Sequence, residues 1–343
     1  MVWIVFLAGA VLAQEQTPAV PVVPEVVVYG CPIHAEVQSK VPGKCHKCNT
    51  LLLAIKPGGE EGFYTCPMHA DVQSAKAGTC PKCKMNLIKA APPETGEYIV
   101  RMETVPRAVK AREKVTLRFS IFHPDKEEQV KEFGILHDMP FHLFVVGQDL
   151  EHFDHIHPTK QPDGSFVIDT VLPRPGYYKI FCDYFPVGGS PQVTQLSLVT
   201  SNFPGDLISS LSRLQPDQTL SKTVEGTRFD LTLGPEKPFA GKGAELHYKL
   251  TDEKSGAPVK DLKPYLGAWG HTLILSEDGT DYLHSHPIEM IPEDVDRGKV
   301  RGGPDVVFDT FFPHPGNYRI WSQFLRGEKL ITVSFTVNVP RLQ

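Results

Sequence analysis

The spacing Cys-x-x-His, ten residues, Cys-x-x-Cys occurs twice near the start of this 343-residue chain. One copy is Cys31, His34, Cys45 and Cys48; the other is Cys66, His69, Cys80 and Cys83. Each supplies three thiolates and one imidazole, a set that closes a tetrahedral shell around a borderline or soft ion such as zinc or copper(I). The second copy begins 35 residues after the first, and its frame recurs, Tyr29-Gly-Cys-Pro-Ile-His34 against Tyr64-Thr-Cys-Pro-Met-His69. Segments 29–54 and 64–89 are too short to bury a core, so ligation has to supply most of the folding energy of each.

The length points to several domains, and a net charge of -5 gives no electrostatic reason to expect nucleic acid. Residues 3–13 form an apolar run that ends in a small-x-small motif before Gln14, the pattern of a signal peptide over residues 1–13. That run is too short to span a bilayer, so the processed protein is expected to be periplasmic or secreted, with no stable membrane span. Export makes disulfides the competing reading of the seven cysteines. A disulfide needs no histidine at fixed spacing, whereas a Cys3His shell does. Residues 14–28, rich in Pro and Val, read as an extended leader.

From about residue 97 short alternating apolar segments separated by Gly, Pro, Asp and Asn indicate β-sandwich structure. The second half repeats the first. At an offset of 129, Leu117 falls on Leu246, His142 on His271, His155 on His284 and His157 on His286. After an 11-residue insertion the offset becomes 140, and Pro175-Gly176 and Tyr178 match Pro315-Gly316 and Tyr318. The chain is therefore expected to be mainly β: two Cys3His modules, then two homologous immunoglobulin-like sandwiches at 97–200 and 223–339. Segment 201–222 reads as a connector holding a short helix at 205–214. The Pro-Gly-x-Tyr turns resemble the tyrosine corner of such sandwiches.

Glu277-Asp-Gly-Thr280 between two apolar runs predicts a two-residue hairpin loop at Asp278-Gly279. Opposed residues then have numbers that sum to 557, pairing His271 with His286 and Leu273 with His284, and all three imidazoles share one face. The same register in the first repeat gathers His142, His155 and His157, although its loop, Asp149-Leu150, has no glycine. Each triad is a candidate metal site. The competing reading is that His-x-His-Pro ends a strand and its rings satisfy backbone carbonyls. Cys182 shares a face with Tyr178 and Ile180 by alternation and is expected to point inward as a small hydrophobe. If it instead reached His142, His155 and His157, that site would be softer and closer to a copper site.

Tyr64-Thr-Cys-Pro-Met-His69 through Cys80-Pro-Lys-Cys-Lys-Met-Asn-Leu87 resembles the small heavy-metal-binding domain at the ends of bacterial copper and silver efflux adaptors and copper-transporting P-type ATPases. Both modules are covered by the resemblance. It implies that Cys66, His69, Cys80 and Cys83 handle copper, silver or related ions, with Met68 and Met85 as soft helpers. The first module keeps Cys31, His34, Cys45 and Cys48 but has Ile33 and Thr50 in place of those methionines, which favours zinc there. The repeats resemble, more weakly, secreted YtkA-like β-sandwich domains. The chain has no long coiled-coil hairpin, so it is not a standard adaptor.

Three functions compete. The leading expectation is an exported, non-catalytic heavy-metal-binding protein that sequesters or relays copper, silver or zinc, with a metal efflux or delivery protein as its partner. The others are a surface protein whose minidomains zinc merely staples, and a metalloenzyme that uses a three-histidine site with an open position.

Overall fold

The computed structural model describes residues 96–135, 138–187, 191–206, 208, 211–289, 291 and 295–341, together with Gly78, Thr79 and six strand backbones nearer the start. Those strands are β1 (Val28–Gly30), β2 (Gln38–Ser39), β3 (Leu53–Pro57), β4 (Tyr64–Cys66), β5 (His69–Ser74) and β6 (Ile88–Ala91). They form one antiparallel sheet in the order β2-β1-β3-β6-β4-β5, and Cys66 and His69 are backbone partners across β4 and β5. The expected signal peptide, Cys31, His34, Cys45, Cys48, Cys80, Cys83, Met68 and Met85 lie outside the described residues.

The first sandwich comprises β7 (Ile99–Val105), β8 (Lys114–Phe122), β9 (Phe141–Gly147), β10 (Phe153–Ile156), β11 (Thr159–Lys160), β12 (Phe166–Val171), β13 (Tyr177–Tyr184) and β14 (Gln192–Val199). Its two sheets run β11-β12-β8-β7 and β10-β9-β13-β14. The second comprises β15 (Ser221–Val224), β16 (Thr227–Gly234), β17 (Gly243–Asp252), β18 (Leu262–Lys263), β19 (His271–Ser276), β20 (Tyr282–Ser285), β21 (Asp305–Phe311), β22 (Gly316–Arg326) and β23 (Lys329–Val339). Its sheets run β15-β16-β17-β21 and β18-β22-β19-β20, with β23 also paired to β22. The described residues are thus all-β, and none of their helices is long and apolar enough to cross a membrane. In both copies the tyrosine of the Pro-Gly-x-Tyr turn donates to a carbonyl four residues upstream: Tyr178 to Arg174 at 2.6 Å and Tyr318 to His314 at 2.7 Å.

Strand β9 reads Phe-His-Leu-Phe-Val-Val-Gly and is buried at every position, as is β19. A strand with no polar alternation is one covered on both faces. One face of β9 packs into its own core with Phe119, Phe166, Ile180 and Cys182. The other face meets the second sandwich in a seam of Phe144, Val146, Leu150, Phe181, Leu273, Leu275 and Trp321, closed by Leu214 of the connector. The two sandwiches therefore bury the outer faces of corresponding sheets against each other.

The seam is close to two-fold symmetric. Positions 179, 181 and 183 of β13 point across it, and so do their equivalents 319, 321 and 323 of β22. Lys179 donates to the carbonyl of Asp278 at 2.6 Å, while Arg319 donates to the carboxylate of Glu151 at 2.5 Å. Phe181 packs on Tyr282 at 5.0 Å between centroids, and Trp321 stacks on Phe153, the equivalent of Tyr282, at 5.1 Å.

Of the helix expected at 205–214, residues 207, 209 and 210 lie outside the described residues, and the described ones form no α-helix. Among the described residues there is one 3₁₀ turn, with Leu211 N donating to Ile208 O. Leu214 is drawn into the seam instead: its N–H donates to the Glu277 carboxylate and its carbonyl accepts from Asn317 Nδ2 at 3.2 Å. Committing the Leu214 N–H to Glu277 takes it from the i−4 carbonyl that a helix ending there would use, and Asn317 caps its carbonyl.

Candidate metal centre

The hairpin register places the histidines. Strands β19 and β20 pair Leu273 with His284 and Thr272 with Ser285, and β9 and β10 pair Phe144 with His155. The sums 557 and 299 are those expected. The loops themselves have four residues rather than two. Ser276 N donates to Asp281 O, and Gly279 N to Ser276 O, so a turn at 276–279 ends on Gly279 at φ 73°. A symmetric lengthening leaves the register unchanged. In the first copy Gly147 N donates to His152 O, and Leu150 takes the left-handed position at φ 58°. A bulky residue there costs about 1–2 kcal/mol, which the complete burial of Leu150 in the seam offsets.

Three ring nitrogens converge in each copy. His142 Nδ1, His155 Nε2 and His157 Nε2 lie 3.0, 3.2 and 3.2 Å from one another. In the second copy His271 Nδ1 lies 3.4 Å from His284 Nε2 and 3.0 Å from His286 Nε2. Donors bound at about 2.0–2.1 Å to one tetrahedral ion are separated by about 3.3 Å, so the residues present fit a nitrogen-liganded borderline ion such as zinc or copper. Both triads are sets whose donor atoms lie within 4.8 Å of one another.

The outward nitrogens fix the tautomers. His155 Nδ1 lies 2.9 Å from Gln323 Oε1, and the Gln323 amide is oriented by donating to Thr332 Oγ1 at 3.1 Å. His284 Nδ1 lies 2.9 Å from Asp183 Oδ2, and His271 Nε2 lies 3.0 Å from the Tyr265 carbonyl. Each of these acceptors holds a ring N–H, which leaves the other nitrogen with its lone pair aimed into the triad. Burial lowers His155 well below the ordinary histidine range, helped by the nearby rings of His284, His271, His142 and His157. Burial, then His142, lowers His157 to about 4. Both are neutral at pH 7, the state in which imidazole binds a metal.

Two family matches accompany this geometry. Residues 93–201 and again 222–341 match a family described as a domain of unknown function, DUF8832. The chain belongs to that family. Residues 63–90 match the heavy metal binding domain, so the second Cys/His module is supported as a module of that kind. Curated proteins yield no match. Among solved structures the chain is similar to the Yersinia pseudotuberculosis adhesin InvE at 8% identity over 71% of this chain, with TM-score 0.20; it spans 61% of that protein. A two-domain fibronectin type III segment of chicken tenascin gives 11% identity over 70% of this chain and 98% of the segment, with TM-score 0.19. Scores this low bear on neither fold nor function.

Each DUF8832 domain thus contributes one triad, and the six histidines read from the sequence, His142, His155, His157, His271, His284 and His286, assemble as expected. Cys182 does not join them. It faces the core of the first DUF8832 domain beside Tyr178 and Ile180, whereas its neighbour Asp183 lies opposite His142 on the triad face. Burial, with Asp183 adding, raises its thiol well above the usual range, so it is protonated and a poor ligand. Its position in the second domain is taken by Ser322, whose hydroxyl donates to Tyr248 at 2.7 Å. Sequence reasoning about each DUF8832 domain singly missed Asp183 and Gln323, because each backs a histidine of the other domain. The alternation Lys179, Phe181, Asp183 and Arg319, Trp321, Gln323 on a strand face was the available signal.

Proposed function

We propose that this chain is an exported, non-catalytic heavy-metal-binding protein that sequesters or relays copper, zinc or silver in the periplasm or outside the cell. Up to four sites serve it: two tandem Cys3His modules and one three-histidine site per DUF8832 domain. The observation that carries this reading is the convergence of three imidazole nitrogens at 3.0–3.2 Å in the first domain, matched in the second by His271 Nδ1 at 3.4 and 3.0 Å from its two partners. The heavy metal binding domain at 63–90 supports it from the other end of the chain. The softer second module suits copper(I) or silver, the first suits zinc, and a metal efflux or delivery protein is the natural partner of such a carrier.

Metal analysis of the protein purified from its native compartment tests this. More than two equivalents are expected, and His284→Ala with His286→Ala should remove one without unfolding the domain. Two equivalents, lost only when the tetrad cysteines are replaced, would rule out the histidine sites.

A further inference from the structure

The two triads are not separate. The rings of His142 and His284 lie 5.4 Å apart, those of His155 and His271 5.7 Å, of His155 and His284 5.8 Å, and of His142 and His271 6.4 Å. Within the triads the corresponding pairs, His142 with His155 and His271 with His284, are 5.3 and 5.7 Å apart. Four imidazoles from two domains therefore form a near-regular tetrahedron, with His157 and His286 as the third members of their triads. Tyr265 stands edge-on to both His155 and His271, at 6.3 and 5.4 Å.

These separations bound the distance between bound ions. The midpoints of the two within-triad pairs are about 4 Å apart, and an ion bound at about 2.1 Å to a ring nitrogen sits about 3.2 Å from the ring centroid, so two ions could be no more than about 8 Å apart. We propose that the two triads form a single six-histidine dinuclear centre at the seam, holding a pair of borderline divalent ions such as copper(II) or zinc. The centre is built reciprocally: the first domain supplies Asp183 to hold His284, and the second supplies Gln323 to hold His155. Neither domain alone can orient its own triad fully. The paired ions are also inequivalent, since a carboxylate makes its imidazole a stronger donor than an amide does.

This inference rests on the reading that each triad binds metal, and the experiment separates the two. The full chain, with Cys31, Cys45, Cys48, Cys66, Cys80 and Cys83 replaced by Ser, is given two equivalents of copper(II) and examined by electron paramagnetic resonance. Two bound ions with a half-field transition, or with a spin count well below two, are the expected result. His155→Ala with His157→Ala should then bind one ion and return the spectrum of an isolated copper(II). Two bound ions with full spin count and no coupling would overturn the dinuclear centre while leaving metal binding intact. A single bound ion would overturn it as well. No bound copper would overturn both the centre and the reading beneath it.

Discussion

Replacing Asp183 by Asn isolates one charge at the seam. Asp183 is 8% exposed, and its Oδ2 accepts from His284 Nδ1 at 2.9 Å and from the Tyr282 hydroxyl at 3.2 Å. Asparagine has nearly the same shape and its side-chain carbonyl can accept both bonds, so the substitution removes charge and little else. The path from the carboxylate oxygen through the ring to an ion on Nε2 is about 7 Å, for which a unit negative charge and a dication attract by about 5 kcal/mol at an effective dielectric of 20. That is a ceiling, because the buried carboxylate also loses hydration. Outer partners of ligating histidines contribute 10–100-fold in affinity, about 1.4–2.7 kcal/mol, and we expect a loss in that range at the second triad. The first triad, whose His155 is backed by Gln323, should lose less, through the lost charge alone. A competition titration against a chromophoric chelator, on the chain with tetrad cysteines replaced by Ser, reads the two sites. If the weaker binding falls on the first triad, or if neither affinity changes by as much as twofold, the assignment of Asp183 to His284 is refuted.

Three further outcomes follow from the structure. Cys182→Ala should leave the copper stoichiometry of the triads unchanged while costing about 1–2 kcal/mol of stability by urea denaturation; a lost equivalent would make it a ligand after all. The metal-free protein should lose stability as pH falls from about 6.5 towards 4: His157, at about 4 when folded, protonates first in the unfolded chain, for a loss on the order of 3 kcal/mol, and His155 adds to it in the same direction. Above pH 6.5 these two groups contribute nothing, so a midpoint that is flat between pH 6.5 and 4.5 would contradict their buried, neutral state. Trp321→Ala, which deletes the ring stacked on Phe153, should cost about 3–5 kcal/mol and loosen the seam, read as faster hydrogen exchange in β9 and β19; unchanged exchange there would mean that the two sheets hold together without it.

The hairpin register was legible because Glu277-Asp-Gly-Thr280 offers a left-handed position at Gly279, and because the loop, although longer than expected, is symmetric about its centre. The second copy lent its register to the first, where Leu150 gives no such cue. The inward face of β13 followed from simple alternation, which put Cys182 with Tyr178 and Ile180. What was not legible was the partner of the outer face. The apolar run Leu143-Phe-Val-Val146 of β9 shows that both faces are covered, but periodicity cannot say by what. Lys179 and Arg319 lay their stems across the seam and reach the opposite hairpin with their tips, a partnership that neither domain's own pattern contains. The connector is a related case: within it Leu214 is claimed by the seam, a partner its own sequence does not reveal.

The near two-fold seam also sets what substitution can do to this protein. Two identical domains docked this way would carry the same residue at both positions now held by Asp183 and Gln323, and any exchange there would alter both halves together. Joining the halves in one chain lifts that restriction, since one side can gain a carboxylate while the other keeps an amide. A symmetric scaffold can in this way hold two unlike places, one facing a carboxylate and the other an amide.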